Sequence, residues 1–417
     1  MTRKKEPHFL FDVDTTISVV LNYESGIYGG FVADLVNLHD NFGVDIAANK
    51  EAEVLGPHTK KAALFGSAEE LEALLDGKET VLLTVMAANG VKPDIFDEYL
   101  PVLATKKVAL WMPARSYSKN TKDDLLRIIK NPSVVDYLVL VSKKCGKSIT
   151  NVYSKLNQKT PPIIYGSLTD FPPYDAESWK LKEERSDVIS FGRIVASKGI
   201  RQLINSLELS GEFRYSYYGV RSKIRDGKVS GSMSEIQCLA RDSFADKRVP
   251  ANITVEDHDG ARTSEPSNDK INFFGYISGR EKLAETIGSA LLLLCPILAR
   301  DPKESERTHE TRKTMWTAGL ENSVLEAVSQ GTLVALSQDY VEAVGLDRCP
   351  VPWPMDTYKA SSELNGIYEK VSALSNEGYR ALAEAQIRSL QSHIAEQFLK
   401  PSDLEGSTIT AGPVKLI

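Results

Sequence analysis

The chain has 417 residues, 42% hydrophobic and 25% charged, with a net charge of −6. That length exceeds one ordinary core and suits two α/β domains, and the composition is that of a globular protein rather than a disordered one. The acidic balance excludes a uniformly basic nucleic-acid binder but leaves room for a local basic cleft.

Residues 1–7 are polar and basic, and the apolar run Phe9-Leu10-Phe11 is cut off by Asp12 and Asp14, too soon for a secretory signal. No apolar stretch approaches the ~18 residues of a membrane-spanning helix. The four cysteines, Cys145, Cys238, Cys295 and Cys349, form no CxxC pair, so neither a zinc nor a redox motif is indicated. Cys295 sits in an apolar run and is expected to be a reduced core thiol. A cytoplasmic protein without a metal is expected.

In chain order, residues 17–21 form an apolar, β-branched run that predicts a strand. A loop with Gly26, Gly29 and Gly30 follows. Phe31, Val32, Leu35, Val36 and Leu38 then recur at helical spacing, up to an exit at Asn41-Phe42-Gly43. Strands are expected at 81–85, 108–112 and 137–141, with a helix near 122–129. Apolar runs alternating with helices predict a parallel sheet covered on both faces. Residues 172–184, opened by Pro172-Pro173, are polar and aperiodic and read as a linker.

A second α/β series has strands at 188–194, 215–220, 271–276, 290–297 and 333–336. Residues 221–270 are charged and weakly periodic, too long for an ordinary connection, and read as a functional loop or a partly disordered insertion. A long helical pattern spans 377–399. The organisation expected is a first domain at 1–175, a linker at 176–185, a second domain at 186–376 and a C-terminal helical segment at 377–417 packing back on the first domain. Ligands of such domains sit at the carboxyl ends of the strands, so a cleft between the two is the expected site.

Three segments carry chemistry. In Phe191-Gly192-Arg193-Ile194-Val195-Ala196-Ser197-Lys198-Gly199, Arg193 falls at a strand end and Lys198 just before a helix. Fixed cations and helix N–H groups stabilise the charge that develops on a diphosphate leaving group; solvated cations in a turn are the plainer alternative. In Gly319-Leu320-Glu321-Asn322-Ser323-Val324-Leu325-Glu326, carboxylates near a helix start suit paired ribose hydroxyls, each accepting two hydrogen bonds. The alternative makes Glu326 structural, because Ser323-x-x-Glu326 fits a capping box. Third, Gly29 and Gly30 let backbone approach a ligand closely, although the loop does not match GxGxxG. The six histidines show no ligand spacing and are expected on the surface or in the core. Arg307, Arg312 and Lys313 are nearly cancelled by interleaved acids. Trp111, Tyr117 and Trp316 are candidates for stacking on a base or sugar, with core packing the commoner role.

Together these segments resemble the retaining GT-B glycosyltransferases of the glycogen-synthase-like class (glycosyltransferase family 4), in which a GR…KG segment binds diphosphate and two glutamates are separated by seven residues. Glu326 matches the second glutamate, and the first falls on Ala318. The separation of Glu321 and Glu326 by four residues, with Tyr217-Tyr218-Gly219 and then Arg221, is more similar to the phage DNA α-glucosyltransferases that modify hydroxymethylcytosine. The resemblance implies a GT-B fold of two Rossmann-like domains facing a central cleft. It implies a UDP-sugar donor held by Arg193, Lys198, Glu321, Glu326, Gly29 and Gly30, retention of configuration and no required cofactor. Where those enzymes carry a histidine–aspartate segment, this chain has Met112-Pro113-Ala114-Arg115. No catalytic base is therefore assigned, and Arg115 and Tyr117 are the acceptor-side candidates. The acceptor implied is a 5-hydroxymethylated or related pyrimidine in double-stranded phage DNA, modified in the host cytoplasm. The alternatives are a polysaccharide or small-molecule acceptor, and a nucleotide-sugar-binding protein that has lost activity.

Overall fold

A computed structural model describes residues 12–22, 35, 38–40, 42–49, 61–86, 94–112, 134–140, 146, 149–150, 153–154, 157–165, 171–192, 215–219, 224–225, 228–229, 252–256, 262–265, 271–274, 277, 280–300, 305–315, 319–359 and 363–397. They fall into two compact α/β units that part at Asp170/Phe171, and Gly319 and Gln397 group with the first unit. No helix among the described residues is long and apolar enough to cross a membrane.

The first unit holds strands β1 (Thr16–Asn22), β2 (Asp45–Asn49), β3 (Ala62–Phe65), β4 (Thr80–Met86), β5 (Lys107–Met112), β6 (Tyr137–Leu140) and β7 (Ile163–Tyr165). They form one parallel sheet in the order β3-β2-β1-β4-β5-β6-β7. One face buries Ile17, Val19 and Leu21 of β1 with Val81 and Leu83 of β4 and Val108 and Leu110 of β5. Helix α1 (Ala68–Leu74) starts where the Ser67 hydroxyl accepts from the Glu70 N–H, and it buries Leu71. Helix α2 (Asp94–Leu103) adds Tyr99, Leu100 and Leu103 to the same core. Trp111 is buried in β5, which makes it a packing residue rather than a stacking platform.

The second unit holds β8 (Ser186–Phe191), β9 (Tyr215–Tyr218), a small hairpin of β10 (Ile224–Arg225) and β11 (Lys228–Val229), β12 (Asn252–Glu256), β13 (Arg262–Glu265), β14 (Ile271–Phe274), β15 (Ala290–Cys295) and β16 (Leu333–Leu336). Its main sheet runs β13-β12-β14-β9-β8-β15-β16, parallel except for the antiparallel β12/β13 pair. Strand β15 reads Ala-Leu-Leu-Leu-Leu-Cys and is buried throughout, as a central parallel strand covered on both faces must be. Cys295 is a buried free thiol. The helices are α3 (Arg280–Gly288), α4 (Glu306–Met315), α5 (Asn322–Ser329), α6 (Gln338–Val344), α7 (Leu364–Ser372) and α8 (Asn376–Gln397).

The structure corrects three expectations. Part of 221–270 is regular structure, because β12 and β13 extend the main sheet at one edge. The segment read as a linker belongs to the second unit. Trp179 donates from Nε1 to the Ser329 carbonyl at 3.1 Å, and Tyr174 stacks on its ring. Arg185, 6% exposed, donates to the carbonyls of Lys180, Ala290 and Gln330 and to the Thr332 hydroxyl, with Tyr379 under its guanidinium. Finally, α8 packs in the second unit as far as Glu396, and its last residue, Gln397, groups with the first unit. Tyr379 and Ala383 lie in its core. The Tyr379 hydroxyl donates to the Leu291 carbonyl at 2.7 Å and accepts from Leu333 N–H at 3.2 Å. Gln386 accepts from the Val334 N–H at 3.0 Å and donates to the Val334 carbonyl at 2.9 Å, standing in for a neighbouring strand along the outer edge of β16.

Further along α8, His393 is buried 3.0 Å from the Cys349 sulfur, and burial lowers its pKa to about 4. The folded chain therefore resists a proton that the unfolded chain accepts below its ordinary value of 6.5. Stability contributed by the neutral ring is full above that value and falls as pH drops toward 4. The loss expected is about 3 kcal/mol. Urea unfolding between pH 7 and pH 4 measures it, and His393→Phe should flatten the slope.

Candidate functional site

In the second sheet, successive strands step outward from β8 through β9, and the chain later returns to place β15 on the other side of β8. Such a reversal opens a crevice at the carboxyl ends of the two flanked strands. Gly192 follows β8 and Gly219 follows β9, at φ +130° and +153°, both conformations that favour glycine. A Cβ on Gly219 would collide with the Gly192 carbonyl oxygen, so the two backbones close only because Gly219 has no side chain. Gly192 N–H donates to the Tyr218 carbonyl at 3.0 Å, and the Tyr217 hydroxyl donates to the Gly192 carbonyl at 3.1 Å. Burial raises the pKa of Tyr217 well above its ordinary value, and the nearby Tyr215 and the negative charge of Glu321 push the same way. Its hydroxyl therefore stays protonated and keeps donating. On the other side of β8, β15 runs into Leu298, a buried residue held at φ +60°. A bulky residue in that region costs on the order of 1–2 kcal/mol.

Glu321 reaches the same neighbourhood from α5. It is the N-cap residue, 5% exposed, and its carboxylate does not cap the helix. Its carbonyl accepts from the Val324 N–H at 2.9 Å, and its own N–H donates to the Tyr340 hydroxyl at 2.8 Å. Glu326, one and a half turns further on, is half-buried beside the inward residues Val324, Leu325, Ala327 and Val328. The capping-box alternative fails, because Ser323 lies inside the helix rather than at its cap. At the far end of α5, Gly331 has φ +70°, and any Cβ there would strike the Trp179 ring.

Helix α6 starts at Ser337, whose hydroxyl accepts from Tyr340 N–H and donates to the Ile297 carbonyl. Asp339, in its first turn, is buried, with Arg300 Nε at 3.1 Å and His309 Nε2 at 2.9 Å from one carboxylate oxygen. Asp339 holds Arg300 more firmly protonated, first through the hydrogen bond and then through charge. Histidine spacing gives no sign of this cluster, and His309, Asp339 and Tyr340 are additions from the structure. The one signal in the chain is Ser337 followed by Asp339, a helix start with an acid in its first turn.

The sequence-predicted site residues Gly29, Gly30, Arg115, Tyr117, Arg193 and Lys198 lie outside the described residues, as do Gly26, Trp316, Ala318 and the expected helix at 122–129. Arg307 is exposed on α4, and the side chains of Arg312 and Lys313 are outside the description. Glu321, Tyr217, Gly219 and Gly192, drawn from three separate segments, share one neighbourhood. Among the described residues no group of three or more His, Cys, Asp or Glu side chains is placed to hold a metal ion.

No protein-family model and no curated protein matches the chain. Solved structures do. An alpha-glucosyltransferase in complex with UDP-glucose and DNA containing an abasic site is 15% identical, with TM-score 0.64, over 92% of this chain and 97% of that one. An alpha-glucosyltransferase in complex with UDP and a 13-mer DNA containing a HMU base is 14% identical, with TM-score 0.62, over 91% and 96%. Alr3699/HepE of Anabaena in complex with UDP-glucose is 11% identical, with TM-score 0.53, over 93% and 98%. The chain thus has the two-domain α/β fold of the GT-B glycosyltransferases. At these identities the likeness defines the fold, and activity is a property of the site.

The failed capping box has a measurable consequence. A serine N-cap replaced by alanine costs about 1 kcal/mol. Ser323→Ala should instead leave the unfolding free energy within about 0.5 kcal/mol of the wild type in a urea titration. Gly219→Ala, by contrast, must part the ends of β8 and β9 and should cost at least ~2 kcal/mol in the same titration.

Proposed function

We propose that the chain is a glycosyltransferase that moves a sugar, glucose or another such as arabinose, from a UDP-sugar to an acceptor hydroxyl with retention of configuration. One observation carries this reading: the Gly192, Tyr217–Gly219 and Glu321 segments, far apart in the chain, converge where the strand order of the second sheet reverses. In this reading Arg193, next in the chain after Gly192, and Lys198 hold the diphosphate. Glu321 and Glu326 accept from the ribose hydroxyls, and Gly29 and Gly30 of the first unit line the donor. The bond from the anomeric carbon to the phosphate oxygen breaks, and the acceptor oxygen bonds to that carbon on the same face. The acceptor's proton passes to the departing phosphate, so no separate base is needed. Fixed cations and helix N–H groups stabilise the leaving charge.

For the acceptor, we favour a 5-hydroxymethylated or related pyrimidine in double-stranded DNA, with Arg115 and Tyr117 on the acceptor side. The base must leave the stack to be reached, and local cations must grip phosphates, which makes activity fall steeply with salt. Two of the three similar structures named above contain DNA, which supports this choice. The net charge of −6 favours the second reading, a polysaccharide or small-molecule acceptor.

The test is to incubate the chain with hydroxymethylated duplex DNA and a panel of UDP-sugars, then digest the DNA and weigh the nucleosides. A nucleoside heavier by one sugar is expected, and transfer to glycans without DNA would give the second reading instead. In the same reading Glu326→Ala should weaken UDP binding about tenfold or more by calorimetry. Its unfolding midpoint should stay close to that of the wild type, and parallel loss of both would remove Glu326 from the donor site.

A further inference from the structure

Glu321 is a buried carboxylate at the N-cap of α5. Burying a charge is costly, and the group is useful to a ligand only if its backbone is fixed. One bond that fixes it from outside α5 runs from its N–H to the Tyr340 hydroxyl, 2.8 Å long and buried. Tyr340 is itself immobile. It is fully buried, and its N–H bonds to the Ser337 hydroxyl, which in turn donates to the Ile297 carbonyl beyond β15. The adjacent Asp339 ties the same turn to Arg300 and to His309 of α4. The first turn of α6 is thus fastened to the exit of β15 and to α4 before it reaches Glu321.

We infer that Tyr340 is a positioning residue for nucleotide recognition, its hydroxyl setting the Glu321 backbone so that the carboxylate meets the ribose hydroxyls of the donor. This rests on the donor-site reading above and adds to it a residue that touches no ligand. Removing the hydroxyl leaves the Glu321 N–H without its partner and lets the N-cap shift, while the ring of a phenylalanine keeps the core filled.

The experiment compares UDP with 2′,3′-dideoxy-UDP by calorimetry on wild type, Tyr340→Phe and Glu321→Gln. Wild type should bind UDP more tightly than the dideoxy form. Tyr340→Phe should raise the UDP dissociation constant about five- to tenfold and leave the dideoxy constant unchanged. Glu321→Gln should show the same ribose-dependent loss, and adding Tyr340→Phe to it should cost little more. Equal weakening of both ligands by Tyr340→Phe, or none, overturns the inference while leaving the donor site standing. A wild type that does not bind UDP, or binds both forms equally, overturns the donor-site reading itself. If Tyr340→Phe does not fold, amide hydrogen exchange of the wild type decides: the Glu321 amide must be protected, and free exchange overturns the inference.

Discussion

Two parallel strands ordinarily run about 4.8 Å apart and end without touching beyond their ladder. At the ends of β8 and β9 the backbones come closer than any side chain allows. Gly219 lies against the carbonyl of Gly192, and the Tyr217 hydroxyl holds that carbonyl in place. The chain leaving Gly192 is therefore launched from a fixed point. Tyr217 does this as a neutral donor, and burial, with Glu321 nearby, raises its pKa further above the ordinary value. The charge on Glu321 and the hydrogen bond to Gly192 thus belong to one arrangement. The carboxylate and burial both favour a protonated tyrosine, and the tyrosine hydroxyl holds the end of β8 through the Gly192 carbonyl.

Around that point the second unit is tied by polar side chains that answer backbone groups rather than opposite charges. Arg185 meets three carbonyls and a hydroxyl, and Gln386 meets both backbone groups of Val334. Tyr379 meets Leu291 and Leu333, and Tyr358 donates to the Cys295 carbonyl. A parallel sheet has edges and strand ends with unpaired backbone groups, and buried ones must find partners. Here α8 and the segment around Arg185 supply them. That is the physical reason both belong to the second unit.

The apolar strands were legible because burial on two faces leaves a continuous hydrophobic run, as in β15 and β16. Strands β2 and β3 were not, since Asp45–Asn49 and Ala62–Phe65 are short and hold two alanines each. Strand β12 does alternate, Ile253 and Val255 between polar neighbours, but it sits in charged chain that reads as loop. The fate of α8 was hidden for another reason. Its helical period shows in sequence, but the partner of Gln386 is a backbone edge, which has no sequence signature. The same applies to the site. Glu321 and Glu326 were visible as acids near a helix start. Which residue stands at the cap of that helix was not, because Ser323 is a preferred N-cap residue and Glu321 is not, and the path of the chain overrides that preference.

Helix α4 is tied to the same turn by a polar contact. From Glu306 to Lys313 it has no strongly apolar residue, and among its described side chains Glu306, Arg307, Thr308 and Glu310 are exposed while His309 is buried. An amphipathic helix is ordinarily held by the apolar area it covers. One contact that fixes this helix is the His309 imidazole on the Asp339 carboxylate, 2.9 Å long, a bond of about 1.5–3 kcal/mol. Regions with little buried apolar surface open at lower cost than the core around them. Because Asp339 and Tyr340 are adjacent in one turn, the group that fastens α4 and the group that fastens Glu321 share a backbone.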